Sequence, residues 1–280
     1  MQNDVSMKPK ANDIAYNSKF VRNSVQTTNR ILICSPSLGV VRMEWVLARH
    51  GQVIPCNWSQ VQTVEFMSEF APLEYQVADA RNVCCNVVAE RNFEWLLFID
   101  DDVCLPPETF IILNEYMTKG DIPVVSGLYF TKSNPPEPLI YRGRGTGFYK
   151  DWKKGDKVWV DGVPMGCTLI SGKLIKAMWE ESEEYRVGNT ILHRVFETPA
   201  RVIWDPEKIN FRTETGTEDL TWCTRVMNEN FLEKSGWEKH AKDHAEFPFL
   251  INTRIWCQHI DPNGRQFPGL ASWDNGLIFP

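Results

Sequence analysis

Three consecutive carboxylates, Asp100, Asp101 and Asp102, close the apolar run "EWLLFIDDDV". They repel one another, and no lysine or arginine lies in residues 92–110 to offset them. Asp100 and Asp102, at i and i+2, can splay around one divalent cation. Mg2+ and Mn2+ suit such oxygen ligands, and Mg2+ typically combines a few carboxylates with substrate phosphate oxygens. The competing reading is an acidic lead into the next helix, with Asp102 facing water. Two further groups stand out later in the chain. Glu218 and Asp219 in "GTEDLTWCTRV" open a helical pattern behind Thr217, a plausible cap, where the helix dipole favours acids. His259, in "WCQHID", reads on its own as a core imidazole with a satisfied hydrogen bond.

The elements around the triplet decide where it points. "RILICSPSLG" reads as a short buried strand running into a loop, and "VRMEWVLARHG" as a helix stopped by glycine. "QVIPCNWS" looks like a second strand. "QVADARNVCCNVVAERNF" has helical spacing at Val77, Val83, Val87 and Val88, with Asp79 as its cap. The strand carrying the acids follows. Pro106 and Pro107 then open the helix "ETFIILNEYMTKG", and "IPVVSGLYF" is another strand. Alternating strands and helices in this order predict an α/β fold with a largely parallel sheet. In such sheets ligands bind beyond the carboxyl ends of the strands, where the triplet sits.

After residue 130 the texture changes. "TKSNPPEPLIYRGRGTGFYKDWKKGDK" is dense in Pro, Gly and charge, and predicts meandering loops and antiparallel strands over the first half. "VWVDGVPMGCTLISGKLIKAMWEE" reads as strand, turn, strand and helix, and "TRIWCQHIDPNGR" as a last strand. The expected organisation is a loose leader (1–28), one domain (29–262, with halves 29–130 and 131–262) and a tail (263–280).

Composition narrows the class. With 280 residues and 43% hydrophobic content the chain can bury a large core, which excludes a disordered protein. A net charge of −6 argues against a dedicated nucleic-acid binder. The eight cysteines form no CxxC pair, which points to a reducing compartment. No signal-peptide pattern and no run near the ~20 apolar residues of a membrane span are present, so the expected location is cytoplasmic.

Taken in order, the segments resemble the nucleotide-sugar glycosyltransferases of the GT-A fold, particularly the large family 2. "ADARNVCCNVVAERNFEWLLFIDDDV" is similar to that family's "ARN" helix followed by a strand ending in a DxD motif. "VDGVPMGCTLISGKLI", "GTEDLTWCTRV" and "CQHID" resemble its acceptor-side, "GED…R" and histidine-bearing segments, over roughly residues 30–262. The resemblance implies a Rossmann-like nucleotide-diphospho-sugar transferase fold, with a central mainly parallel sheet flanked by helices. It also implies metal-dependent transfer of a sugar to an acceptor hydroxyl, with inversion as the expected outcome and retention as the other course. Asp102 would then be the direct metal ligand and His259 another. Asp100 would contact the ribose or a metal-bound water, or join the ligands, and Arg81 would lie near the nucleotide or its pyrophosphate. Asp219 would be the base and Glu218 would orient the acceptor, with Trp222 and Arg225 lining its pocket or packing. Mn2+ or Mg2+ and a UDP-sugar, or secondly a GDP-sugar, are the implied cofactor and donor. The acceptor hydroxyl could belong to glycan, protein, lipid or modified DNA.

The chain departs from that family where "CSPSLG" replaces a Pro-x-Tyr-Asn type of turn, which leaves the donor base open. It also lacks the Q-x-x-R-W segment of processive synthases. Arg142 or Arg144, in "YRGRGTGFYKDWKKG", could sit near phosphate on a covering loop, although such loops are more often connectors. Three other readings compete. A sugar nucleotidyltransferase shares the sheet but needs a Gly-rich, basic loop after its first strand, of which "SPSLGVVRMEW" is a thin version. A haloacid-dehalogenase-like phosphatase would use Asp100 as nucleophile, but Cys104 stands where that pattern wants Thr or Val. A non-catalytic nucleotide-sugar-binding protein would have little use for Asp100, Asp102, Asp219 and His259 together.

Overall fold

The computed structural model describes residues 31–55, 64–66, 75–144, 149–205 and 209–269. The expected leader (1–28) lies outside the described residues. The apolar run at 31–34 is strand β1 (Ile31–Cys34), and helix α1 (Met43–His50) follows and stops at Gly51. Residues 52–55 are not a strand, and the rest of the strand expected there lies outside the described residues; β2 is Val64–Phe66. Helix α2 (Val77–Arg91) ends on Asn92 in the left-handed conformation. Gln76 holds its cap position; Asp79 lies one turn in and accepts a hydrogen bond from the Tyr185 hydroxyl at 2.6 Å instead. Strands β3 (Trp95–Ile99) and β4 (Val103–Cys104) flank the acid triplet. Helix α3 (Thr109–Lys119) begins after the two prolines rather than on them, and β5 (Val124–Leu128) follows.

The second half contributes β6 (Lys157–Val160), β7 (Cys167–Ser171) and α4 (Gly172–Glu181). Two hairpins come next, β8 (Glu184–Val187) with β9 (Thr190–His193), and β10 (Ala200–Asp205) with β11 (Asn210–Thr215). Helices α5 (Glu218–Asn228), α6 (Phe231–Lys234) and α7 (Glu238–Asp243) lead to β12 (Phe249–Trp256), β13 (Gln258–Ile260) and β14 (Gln266–Phe267). The expected tail from 263 is therefore partly structured before residue 270.

Seven strands form one sheet in the order β2-β1-β3-β7-β5-β12-β6. Strands β2, β1, β3, β5 and β12 run in one direction, while β7 and β6 run against them. The fold is thus α/β with a central, mostly parallel sheet flanked by helices. Alternation along each strand sends its side chains to opposite faces. Leu32, Cys34, Leu96 and Phe98 pack with α2, α4 and α5, whereas Ile31, Ile33, Trp95, Leu97 and Ile99 pack with α1 and α3. Both faces are covered, which is why β1, β3, β5 and β7 are buried at every position. The seven described cysteines are buried free thiols that serve this core.

The acids leave the sheet at the carboxyl edge of β3. The Asp100 amide donates to Gly166 O at 3.0 Å, and Val103 N–H turns back to Asp100 O at 3.1 Å. That turn feeds β4 into a small sheet of order β14-β13-β4, in which His259 pairs with Val103. The Ile260 amide donates to Asp102 O at 2.8 Å. A histidine from the far end of the chain is thereby registered beside the third acid.

Candidate active site

Each acid of the triplet has its own partner. Helix α2 precedes β3 and returns alongside it, so its first turns lie at the same edge as the acids. Arg81, buried at 2% exposure, points Nη2 to within 3.0 Å of both Asp100 carboxylate oxygens. Its Nε donates to Glu218 Oε1 at 3.2 Å, at the start of α5. The guanidinium lies over the Phe98 ring, 4.9 Å from its centre. Burial works against the charge, but Asp100 and Glu218 outweigh it and hold Arg81 above its ordinary value. Burial pushes the Glu218 carboxyl up; Arg81 pulls it down and the neighbouring Asp219 pushes it up. One guanidinium therefore ties the end of β3 to the start of α5. Trp45 supports the turn from α1, donating Nε1–H to Asp100 O at 2.8 Å.

Asp101 turns toward the loop after β1. Burial raises its carboxyl, and hydrogen bonds from the Ser37 hydroxyl and the Leu38 amide pull it back.

Asp102 meets two groups at one oxygen. Lys132 Nζ lies 2.5 Å from Oδ2, and His259 Nε2 lies 3.3 Å from the same atom. Although burial raises the Asp102 carboxyl, the histidine and the lysine lower it to about 2. His259 Nδ1 is 2.8 Å from Phe130 O, a carbonyl that can only accept, so the proton sits on Nδ1. A cation arriving beside Asp102 would find Nε2, 3.3 Å from Oδ2, as the ring nitrogen left to bind it. A carboxylate oxygen and an imidazole nitrogen converging in this way are the two donors that could hold Mg2+ or Mn2+. Asp100, expected as a further ligand, lies against Arg81 Nη2, and its Oδ1 has no hydrogen-bond partner among the described residues. Among the described residues no three His, Cys, Asp or Glu side chains gather as a metal cage.

Asp219 follows Glu218 on the first turn of α5. Its Oδ1 accepts from the Leu220 amide at 2.8 Å and from the Thr217 hydroxyl. Thr217 occupies the cap position, yet spends its hydroxyl on Asp219 rather than on the helix amides. Oδ2 has no hydrogen-bond partner among the described residues. Between the two acidic groups stands Tyr129, whose oxygen accepts from the Gly166 amide at 2.8 Å. Burial raises its phenol well above the ordinary value, and Asp100 and Asp219 add to this. Its ring packs edge-on against His259, 5.3 Å between centres. A side chain at position 166 would put its Cβ 2.6 Å from the Tyr129 oxygen and 2.8 Å from Val103 Cγ2, so only glycine fits there.

Two cavities open on the triplet. One of about 300 Å³ is lined by Pro36, Ser37, Tyr75, Val77 and the three acids. Another of about 780 Å³ runs from Asp101, Asp102 and Lys132 along Val40, Met43 and Leu47. Together they form a crevice beyond the carboxyl ends of the strands, the position expected for a ligand in this class of sheet.

Other candidates lie elsewhere. Arg144 binds Asp161, Leu220 O and Thr224 Oγ1, fastening the segment before β6 to α5. Arg142 donates to Trp159 O and sits over the Tyr149 and Phe247 rings. Arg144 is thus engaged at all three guanidinium nitrogens and Arg142 at one, and residues 145–148 of that loop lie outside the described residues. Trp222 is fully buried and stacks on Phe196, and Arg225 donates to Arg194 O and Val195 O, so both pack. The sequence reading missed Lys132 and Tyr129. Lys132 lies in a Pro-rich stretch read as a connector, and Tyr129 in a run read as plain strand. The unmatched charge of the triplet was the available hint that a distant cation must exist.

No protein-family model matches the chain, and no curated protein matches its sequence. Among solved structures it is similar to A197 from STIV, at 15% identity and TM-score 0.45 over 83% of this chain and 86% of that one. It is also similar to S. aureus TarS, at 12% identity and TM-score 0.34 over 53% of this chain and 29% of that one. A third likeness is to S. aureus TarS 1-349 in complex with UDP, at 13% identity and TM-score 0.31 over 54% of this chain and 48% of that one. No helix among the described residues is long and apolar enough to cross a membrane.

Proposed function

We propose that this protein is a glycosyltransferase that moves a sugar from a nucleoside-diphosphate donor, UDP-linked first and GDP-linked second, to an acceptor hydroxyl. The observation that carries this reading is the Arg81 bridge. It holds Asp100, at the edge of the donor crevice, within one guanidinium of Glu218, the neighbour of a carboxylate with a free oxygen. Donor recognition and proton removal need such adjacency, since the attacked carbon must lie between them.

In this reading Asp219 Oδ2 takes the acceptor proton while Thr217 and Leu220 fix the other oxygen. The acceptor oxygen bonds to the anomeric carbon as the bond to the diphosphate breaks, and the electron pair leaves with the phosphate. Attack from the face opposite the leaving group gives inversion. A Mg2+ or Mn2+ ion at Asp102 and His259 would supply Lewis-acid stabilisation of the departing diphosphate. Glu218, held by Arg81, would orient the acceptor. Arg81 positions the site through Nε and Nη2, while its Nη1, without a hydrogen-bond partner among the described residues, is the donor left for the nucleotide or its pyrophosphate. The contact of Nη2 with Asp100 disfavours the phosphatase reading, which needs Asp100 as a free nucleophile.

The test is thermal stability with UDP or GDP, each with and without Mn2+. A nucleotide shift that requires metal and vanishes in Asp102→Ala supports the donor site. Asp219→Asn should keep that shift and lose sugar transfer by at least about a hundredfold. Absence of any nucleotide shift would count against the transferase.

A further inference from the structure

We propose that Lys132 is a built-in rival for the divalent cation at Asp102, one that the donor diphosphate draws away, so that metal and nucleotide bind cooperatively. This deepens the reading above and rests on it. Asp102 Oδ2 is the atom that faces His259 Nε2, and it is also the atom that Lys132 Nζ contacts. A cation that used both the oxygen and the imidazole would stand beside the ammonium on a single carboxylate oxygen. Two positive charges at that separation exclude one another, so one of them must leave.

Lysine is the group able to move. The His259 ring is anchored through Nδ1 to Phe130 O, and β13 pairs it into the small sheet. Asp102 is held by its own backbone bond to Ile260. The Lys132 backbone is also fixed, because its neighbour Thr131 exchanges hydrogen bonds with Glu137 through both backbone and side chain. Its side chain, however, ends at the wall of the 780 Å³ cavity and is 30% exposed. A flexible four-carbon stem on a fixed base can carry the ammonium from Asp102 to an anion in the crevice.

Metal alone must displace Lys132 into water or toward the other acids of that cavity, Glu44, Asp101 and Asp261. A diphosphate supplies a partner for the ammonium, so each ligand lowers the cost of binding the other, and the coupling is reciprocal. An ordinary metal site would gain nothing from loss of a nearby lysine beyond weak long-range repulsion.

Mn2+ binding to the full chain can be followed by loss of the free-ion electron paramagnetic resonance signal, with and without UDP. Wild type, Lys132→Met, Lys132→Arg and Asp102→Ala are compared, each with its fold checked by circular dichroism. The expected result is that Lys132→Met binds Mn2+ alone about tenfold more tightly than wild type and loses most of the UDP-dependent enhancement. Lys132→Arg should stay near wild type. Equal Mn2+ affinity in wild type and Lys132→Met, with both losing it on Asp102→Ala, would overturn the rivalry and leave the transferase reading standing. No Mn2+ binding by any variant, with or without UDP, would overturn the metal site and this proposal with it.

Discussion

Two ion-pair assemblies flank the same turn, and they are built on opposite terms. Arg81 is almost fully buried, forks between Asp100 and Glu218 and rests on an aromatic ring. Lys132 and Asp102 are about one-third exposed and meet through a single contact. Arginine keeps its charge when buried and spans two acids with a planar fork; lysine offers a point charge on a mobile stem. The difference teaches which side of the triplet is framework and which is machinery. The Arg81 side fixes distances between secondary-structure elements, and the Lys132 side is the one that ligands can rearrange.

Substitutions can break that contrast, and the largest effect belongs to Arg81. Arg81→Met would leave two partly buried carboxylates without their cation, and urea unfolding should report a loss of about 3–5 kcal/mol. A loss below about 1 kcal/mol, the range of surface pairs, would erase the distinction between the two assemblies. Next comes Gly166→Ala. Its Cβ would press on the Tyr129 oxygen and on Val103, and the rigid ring has little room to yield. A cost of about 1–3 kcal/mol is expected for such overpacking, measured in the same unfolding experiment. Smallest is Lys132→Met, which should change stability by no more than about 1 kcal/mol because its pair is solvent-screened. A larger loss would move Lys132 into the framework.

Much of the framework was legible in the sequence because it is local. The continuous apolar run before Asp100 could only be a buried strand, and the helical spacing from Val77 placed α2 within a residue or two. The β8–β9 hairpin carried a signal that was passed over, since Gly188-Asn189 between alternating residues is a two-residue hairpin turn. Of the strand expected at 52–59, the described residues 52–55 are not strand, and Val53 N–H bonds Pro107 O outside any sheet. The candidate site was legible in its acids and its histidine, which announce themselves by charge and type. Its cations and its tyrosine were not. Arg81 could be flagged, but nothing in the sequence says that one guanidinium reaches both Asp100 and Glu218. Lys132 matters only because the chain leaving β5 passes His259, whose Nδ1 meets Phe130 O, a fact of tertiary placement rather than of composition.

The pairing of β4 with β13 has a consequence for how the protein comes into being. Strands β1 and β3 bring the acids to the sheet edge early in the chain, while the backbone groups that hold them, at Gly166 and Ile260, come later. The third acid gains its histidine only when β13 has been made. A partial chain thus carries the acids without the imidazole. Competence at this site therefore waits on β13, a strand far along the chain from the acids it completes.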